Sequence, residues 1–130
     1  MLTTCVGLAN PGGTISRFGV SAAGSLTEVD LIGPVTVPAN DEHHLTDLHV
    51  GVAKGAAGTR FGLHYRTSSA ASWVQLDETP IGDYGSHVVT WGTSHKIKAG
   101  EDWKVTLIQT TVARASARMA GQAKISDSRS

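Results

Sequence analysis

Apolar residues recur at every second position in several stretches of the chain, and this spacing constrains the fold more than any other feature. Successive side chains of a β-strand point to opposite faces, so each such stretch predicts a strand with one apolar and one solvated face. In the first stretch Val29, Leu31, Gly33, Val35 and Val37 share the predicted core side. The others cover residues 48–52, 61–66 and 103–111. Because the repeat is two residues rather than 3.6, the pattern favours an all-β chain.

Residues that favour chain reversal separate these stretches at short intervals. Further strands are predicted at residues 15–20, 73–76, 87–91, 95–98 and 115–125, with a turn at Gly92 and Thr93 between two of them. Residues 112–124 are rich in alanine, which would also suit a helix, but the alternation continues there and a strand is favoured. About eight or nine short strands at this spacing predict a single antiparallel β-sandwich or jelly roll.

The two ends of the chain lack this alternation. Residues 1–13 are predicted to form an extended N-terminal arm, residues 14–125 the sandwich domain and residues 126–130 a flexible, solvated tail. Residues 1–16 carry no charged side chain, but the run from Asn10 to Gly13 interrupts the apolar core that a secretion signal needs. No stretch reaches the roughly 18 continuous apolar residues of a membrane-spanning helix. The single cysteine, Cys5, excludes an intramolecular disulfide.

The charge balance and the motifs disfavour several classes of function. Eleven basic and eleven acidic residues give a net charge of zero, whereas proteins that bind nucleic acid by neutralising phosphates are normally basic. Residues 19–24 are one residue too long for a nucleophile elbow, and the glycine-rich residues 55–58 lack the lysine that follows a phosphate-binding loop. The sequence therefore predicts no enzyme, no cofactor, and neither a nucleic-acid nor a membrane partner.

One cluster of histidines and carboxylates invites a different interpretation. His43, Asp47 and His49 share one parity, so an unbroken strand would project them from the same face. Such side chains can ligate zinc or iron, and the histidines of other predicted strands could complete a cupin-like enzyme site. The alternative is a solvated strand face whose imidazoles form hydrogen bonds or line an interface between copies. This alternative is favoured, so no metal site is predicted.

The chain contains three tryptophans, and each large side chain is predicted to be either buried in the core or exposed for binding. Trp103 has the parity of its apolar neighbours and is predicted to lie in the core. Trp73, Tyr84 and Trp91 stand beside predicted turns, where an exposed aromatic ring can stack on a sugar or anchor a protein partner. These three residues are therefore candidate binding residues, and a carbohydrate- or receptor-binding β-sandwich is an alternative function.

Two short stretches carry a resemblance to a known class of proteins. Val37-Pro38-Ala39-Asn40 leads into one strand, and the stretch from Ile97 to Trp103 (Ile-Lys-Ala-Gly-Glu-Asp-Trp) forms a turn between two others. This strand–turn pattern resembles that of small jelly-roll or β-sandwich virion proteins, and it is similar to the decoration (cement) proteins of tailed bacteriophage capsids. The resemblance extends over residues 14–125. It implies a non-enzymatic structural protein made in the host cytoplasm and located at the capsid surface of the virion.

The same resemblance implies partners. They are the major capsid protein and further copies of the chain, arranged as a homotrimer around the symmetry axes of the capsid. The uncharged arm would grip the shell, since an unpaired backbone can add a strand to a neighbour's sheet. Leu2, Val6 and Leu8 are its candidate contacts. Another position in the virion, such as the tail or the head–tail connector, is an alternative.

Overall fold

The computed structural model describes residues 13–21, 25–53, 58–81 and 85–125 of the chain. The regular structure of these residues is eight β-strands: β1 (Gly13–Ser21), β2 (Val29–Thr36), β3 (Asp41–Val52), β4 (Thr59–Arg66), β5 (Val74–Ile81), β6 (Ser86–Lys98), β7 (Asp102–Ile108) and β8 (Ala115–Ile125). The strand predicted over residues 115–125 is confirmed. The two strands predicted within residues 87–98 are instead one, since β6 continues through Gly92 and Thr93. Among the described residues there is no helix of membrane-spanning length and hydrophobicity.

The eight strands form two antiparallel sheets of four strands each. The first sheet has the order β1-β8-β3-β6 and the second sheet has the order β2-β7-β4-β5. Apart from the pair β4 and β5, consecutive strands belong to different sheets, so the chain passes from one sheet to the other at almost every connection. This strand order is that of a jelly roll, which confirms the predicted fold class.

The core lies between the two sheets and contains the residues that the alternation predicted. Trp103, Val105 and Leu107 of β7 and Phe61 of β4 are fully buried. Leu48 of β3 meets them from the first sheet with 1% exposure. Full burial of a side chain of this size stabilises the folded state by about 1.5–3 kcal/mol. The inner faces of the sheets therefore stabilise the fold, and binding surfaces must be sought on the outer faces and the edges.

The alternation predicted for residues 29–37 is wrong in its middle. Strand β2 shifts register against β7 between Asp30 and Ile32, and again between Ile32 and Val35. As a result Ile32 is buried in the core with 4% exposure, whereas Gly33, which was predicted on the core side, is exposed. Leu31 is half-buried. Alternation along the sequence predicts the face of each side chain only while the strands pair without interruption. Each extra residue in a bulge moves the side chains that follow it to the opposite face.

Candidate functional site

The histidine cluster of β3 is divided between the two faces of the first sheet. Strand β3 carries an extra residue at Thr46, whose hydroxyl donates a hydrogen bond to the carbonyl oxygen of Ala120 on β8 at 3.2 Å. This bulge reverses the parity, so His43 points into the core while Asp47 and His49 lie on the outer face. The prediction that these three side chains share one face is therefore wrong. No group of three metal-ligating side chains gathers within the described part of the chain.

His43 has a structural partner in the core. The indole Nε1–H of Trp103 donates a hydrogen bond to His43 Nδ1 at 3.1 Å, and the two rings meet edge to face. The Nδ1 atom must be unprotonated to accept this bond, so the neutral imidazole carries its proton on Nε2. Burial lowers the pKa of His43; the charge of Arg17 lowers it further, and Asp41 opposes the change. The residue is thus held neutral inside the sandwich, away from any ligand.

Trp73, a candidate binding residue, lies half-buried just before β5. The guanidinium carbon of Arg66 is 4.2 Å from the centre of its ring, and the ammonium nitrogen of Lys104 is 4.3 Å from it. Contacts of this kind stabilise an exposed site by about 0.5–1 kcal/mol. The two cations occupy positions over the ring that a stacked sugar would need.

Trp91, the second candidate, belongs to β6 and joins the edges of the two sheets. Its Nε1–H donates a hydrogen bond to the Asp77 carboxylate of β5 at 2.9 Å, and the ring of His95 meets it edge-on at 4.7 Å. Residues 91–94 lie opposite the single residue Thr46, so β6 leaves its regular path here. The Gly92-Thr93 pattern, which predicted a turn, marks the segment where β6 is irregular, but the strand continues through it. Trp91 is half-buried, and both its ring nitrogen and its ring have partners.

The other four candidate residues are not placed by the structure. Leu2, Val6, Leu8 and Tyr84 lie outside the described residues. Their roles in partner binding therefore stay predictions.

A hydrogen-bonded trio on the outer face of the second sheet contains the residue types of a catalytic triad. The hydroxyl of Thr106 donates to Glu28 at 2.8 Å, and His64 Nε2 lies 3.1 Å from that hydroxyl and 3.3 Å from the carboxylate. A triad needs the acid on one ring nitrogen and the nucleophile on the other, whereas here one nitrogen faces both groups. Thr106 is also only 2% exposed, so a substrate has no access to it. The trio is a stabilising network.

Two pairs of oppositely charged residues lie on this outer face. Lys104 Nζ lies 2.9 Å from Asp30, and Arg66 Nε donates to Asp102 at 2.7 Å. Burial alone would raise the pKa of Asp102, but hydrogen bonds from Thr36 and Arg66, together with the charge of Arg66, outweigh burial and lower it. These four charged side chains are therefore paired within the second sheet.

The outer face of the first sheet differs in shape and in charge. A row of small residues crosses its strands: Ser116 of β8 pairs with Gly51 of β3, which pairs with Ser86 of β6. These three residues form the floor of a shallow depression, here called the transverse groove. A Cβ atom added to Gly51 would lie 3.3 Å from the main-chain oxygen of Gly85 and 3.4 Å from the Ser116 hydroxyl, so a larger residue would fit the floor only tightly. The sheet thus has a low strip across its width.

Large apolar side chains stand at the β1 end of the transverse groove. Phe18 and Val20 of β1 are 66% and 42% exposed; Val88 of β6 is 50% exposed, two residues from Ser86, but it lines neither cavity. Two cavities of about 340 Å³ and 390 Å³ follow the groove and share Phe18, Gly51 and Ser116 in their walls. Sequence reasoning missed this surface, although Phe18 and Val20 alternate on the strand face opposite the buried Ile15. That alternation is the signal that could have identified it.

Two arginines flank the floor of the transverse groove. Arg118 follows Ser116 by two residues on β8 and Arg114 precedes it by two, and each lines one of the cavities. Both are exposed, and neither forms an ion pair within the described ranges. None of the aspartates and glutamates that the structure describes lines either cavity. The groove therefore combines exposed apolar side chains with an unbalanced positive charge.

Comparisons with known proteins reveal likeness of fold. No family model and no curated protein sequence matches the chain. Among solved structures, the TNF protein Eiger from S. frugiperda is 12% identical, with 88% of this chain and 94% of that chain covered and a TM-score of 0.49. The cyanophage Pam1 capsid is 14% identical, with 88% and 86% covered and a TM-score of 0.42. The galactose-bound family 32 carbohydrate-binding module of C. perfringens NanJ is 15% identical, with 82% and 99% covered and a TM-score of 0.41.

The similar structures thus include a phage capsid protein, a carbohydrate-binding module and a TNF protein. All three share 15% of residues or fewer with this chain, and the highest of the three TM-scores is 0.49. Likeness at this level concerns the arrangement of strands alone. The function must be argued from the surface of this chain.

Proposed function

We propose that this chain is a non-enzymatic structural protein of a virion, a decoration protein that binds the major capsid protein at the outer surface of the shell. In this proposal the chain also associates with further copies of itself as a homotrimer. The observation that carries the proposal is the transverse groove with its exposed Phe18 and Val20. Contiguous exposed apolar surface on a small domain marks a place where another protein binds.

Two properties of the sequence support the same function. The net charge of zero leaves little electrostatic repulsion between copies, as a protein of a closely packed shell requires. The strand–turn pattern of residues 37–40 and 97–103 resembles that of phage decoration proteins. The uncharged residues 1–13 supply the second contact of the proposal, as an arm that adds to the surface of a shell subunit.

Binding to shells tests the proposal directly. Heads that lack this protein are purified from the virus that encodes it, incubated with the purified chain and sedimented, and the bound chains are counted against the major capsid protein. We expect saturable binding, which Phe18→Ser combined with Val20→Ser should weaken by about tenfold or more because the apolar anchors are gone. Leu26→Ser is the matched control, since Leu26 is 61% exposed but does not line the groove. Absence of saturable binding by the unaltered chain would overturn the proposal.

Two further measurements separate the parts of the proposal. Light scattering on a sizing column should give three times the 13.6 kDa of the chain if the protein is a trimer in solution. Removal of residues 1–13 should leave the sandwich folded by circular dichroism but abolish shell binding. If the shortened chain still occupied all of its binding sites on the shell, the arm would have no role in binding. The proposal would then rest on the transverse groove alone.

No observation favours the sugar-binding alternative to the same degree. The rings of Trp73 and Trp91 are engaged by Arg66 and Lys104 in one case and by Asp77 and His95 in the other. A panel of monosaccharides followed by tryptophan fluorescence is the simple check, and a saturable response would revive that function.

A further inference from the structure

The transverse groove carries two cations for which the described residues supply no counter-charge. Arg114 and Arg118 both line it, and none of the carboxylates in the described ranges does. On the opposite outer face, by contrast, the cations Lys104 and Arg66 each contact an aspartate within 3 Å. Two unpaired guanidinium groups beside exposed apolar side chains give a surface complementary to a segment that is both acidic and apolar.

The shape of the groove accommodates an extended segment. Its floor and Val20 of β1 lie in one row across the four strands of the first sheet, a span of about 14 Å at roughly 4.8 Å between strands. That span equals the length of about four residues of extended chain. Rows of side chains on one face of a sheet are about 6.6 Å apart, so the rows that flank a floor of one row are about 13 Å apart. An extended chain can lie along this strip with every second side chain against the floor.

We propose that the transverse groove binds an extended segment of its partner in which acidic residues alternate with apolar ones. The apolar side chains lie against Phe18, Val20 and the floor, and the carboxylates pair with the guanidinium groups of Arg114 and Arg118. This inference rests on the proposed function, because it names the chemistry of the segment that the shell protein presents.

Labelled peptides test the inference without a shell. The probe is the heptapeptide Ser-Val-Asp-Leu-Glu-Val-Ser with blocked ends, followed by fluorescence anisotropy. One comparison peptide replaces both acids by lysine, and another replaces the three apolar residues by serine. We expect saturable binding of the acidic peptide with a dissociation constant below about 1 mM, and at least about tenfold weaker binding of the other two.

Charge reversal on the protein assigns the binding to the groove. Arg118→Glu should weaken binding of the acidic peptide about tenfold, because an attraction becomes a repulsion. Arg114→Glu combined with Arg118→Glu should reverse the preference in favour of the lysine peptide. Arg60→Glu is the matched control, since Arg60 is an exposed cation on the other sheet and lines neither cavity. Its affinity for the acidic peptide should be unchanged.

The outcomes separate the inference from the proposed function. Equal binding of the acidic and lysine peptides would overturn the inference that the bound segment is acidic. An unchanged affinity of the Arg118→Glu variant for the acidic peptide would overturn it as well. If shells still bound the unaltered chain in that case, the decoration role would survive and the groove would have another occupant. Peptide binding without shell binding would support the chemistry of the groove and overturn its assignment to a capsid.

Discussion

The buried hydrogen bond between His43 and Trp103 allows a quantitative test of the core. Trp103 is fully buried, and its Nε1–H donates to His43 Nδ1 at 3.1 Å. His43→Leu keeps the approximate volume but removes the acceptor, which leaves a buried N–H without a partner. Such a group costs about 1–3 kcal/mol of the free energy of unfolding. Since small domains have about 5–15 kcal/mol in total, the loss should be plain in a denaturant titration.

The same residue predicts how stability responds to acid. Because burial lowers the pKa of His43 below its ordinary value of 6.5, the unfolded chain takes up a proton more readily than the folded one. The stabilisation is therefore complete above pH 6.5 and is lost as the pH falls through the folded pKa, at up to about 1.4 kcal/mol per pH unit. The carboxyl of Asp102 acts in a separate window, because its pKa is lowered from an ordinary value of 3.8.

Urea unfolding at about pH 7.5 and about pH 5.5, followed by tryptophan fluorescence, measures both effects. His43→Asn is the matched variant, since its side-chain oxygen stands where Nδ1 stood and does not titrate. We expect it to be more stable than His43→Leu and to lose less stability than the unaltered protein at the lower pH. Equal stability of His43→Leu and the unaltered protein at neutral pH, or an undiminished acid response in His43→Asn, would refute the reasoning.

Three further substitutions test contacts elsewhere, each by the free energy of unfolding in urea. Gly19→Ala should destabilise by about 2 kcal/mol or more, because its Cβ would overlap a main-chain oxygen of β2; an unchanged midpoint would contradict the close approach of these strands. Asp102→Asn should cost about 2 kcal/mol, since Arg66 loses the charge of its partner, and high salt should reduce the difference little. Trp91→Phe should cost about 1 kcal/mol through the lost bond to Asp77, and equal stability would make that bond incidental.

The sequence predicts the elements of this fold well because its alternation reflects which side chains are buried. Trp103, Val105 and Leu107 lie in the core as their spacing predicts, and the alanine-rich residues 115–125 form a strand. Alanine has a high helix propensity, but the preserved alternation with arginine and serine outweighs it. Neighbouring strands on both sides pair with β8 along nearly its whole length.

The sequence predicts faces poorly wherever the pairing is irregular. One extra residue, Thr46, separates His43 from Asp47 and His49, although all three have the same parity. Its position depends on a contact with β8, some seventy residues away in sequence, and that contact leaves no mark in the local pattern. The transverse groove was missed for a related reason. Its floor of glycine and serine lacks the residue types by which chemistry is recognised, and it exists only once three strands lie side by side.

The edge strand beside the transverse groove differs from the other edge strands in the regularity of its pairing. Strand β2 shifts register around Pro34, β5 contains Pro80, and β6 departs from its path over residues 91–94. Prolines and bulges of this kind prevent an edge from pairing with another chain. Among the described edge strands β1 alone is free of them, since it pairs with β8 over nine residues without a shift. Because β1 also carries Phe18 and Val20 at one end of the groove, a partner in the groove has beside it an edge on which no described strand pairs. The groove runs across the strands, so a bound segment that turns beyond the groove to run along β1 can add backbone hydrogen bonds to its side-chain contacts.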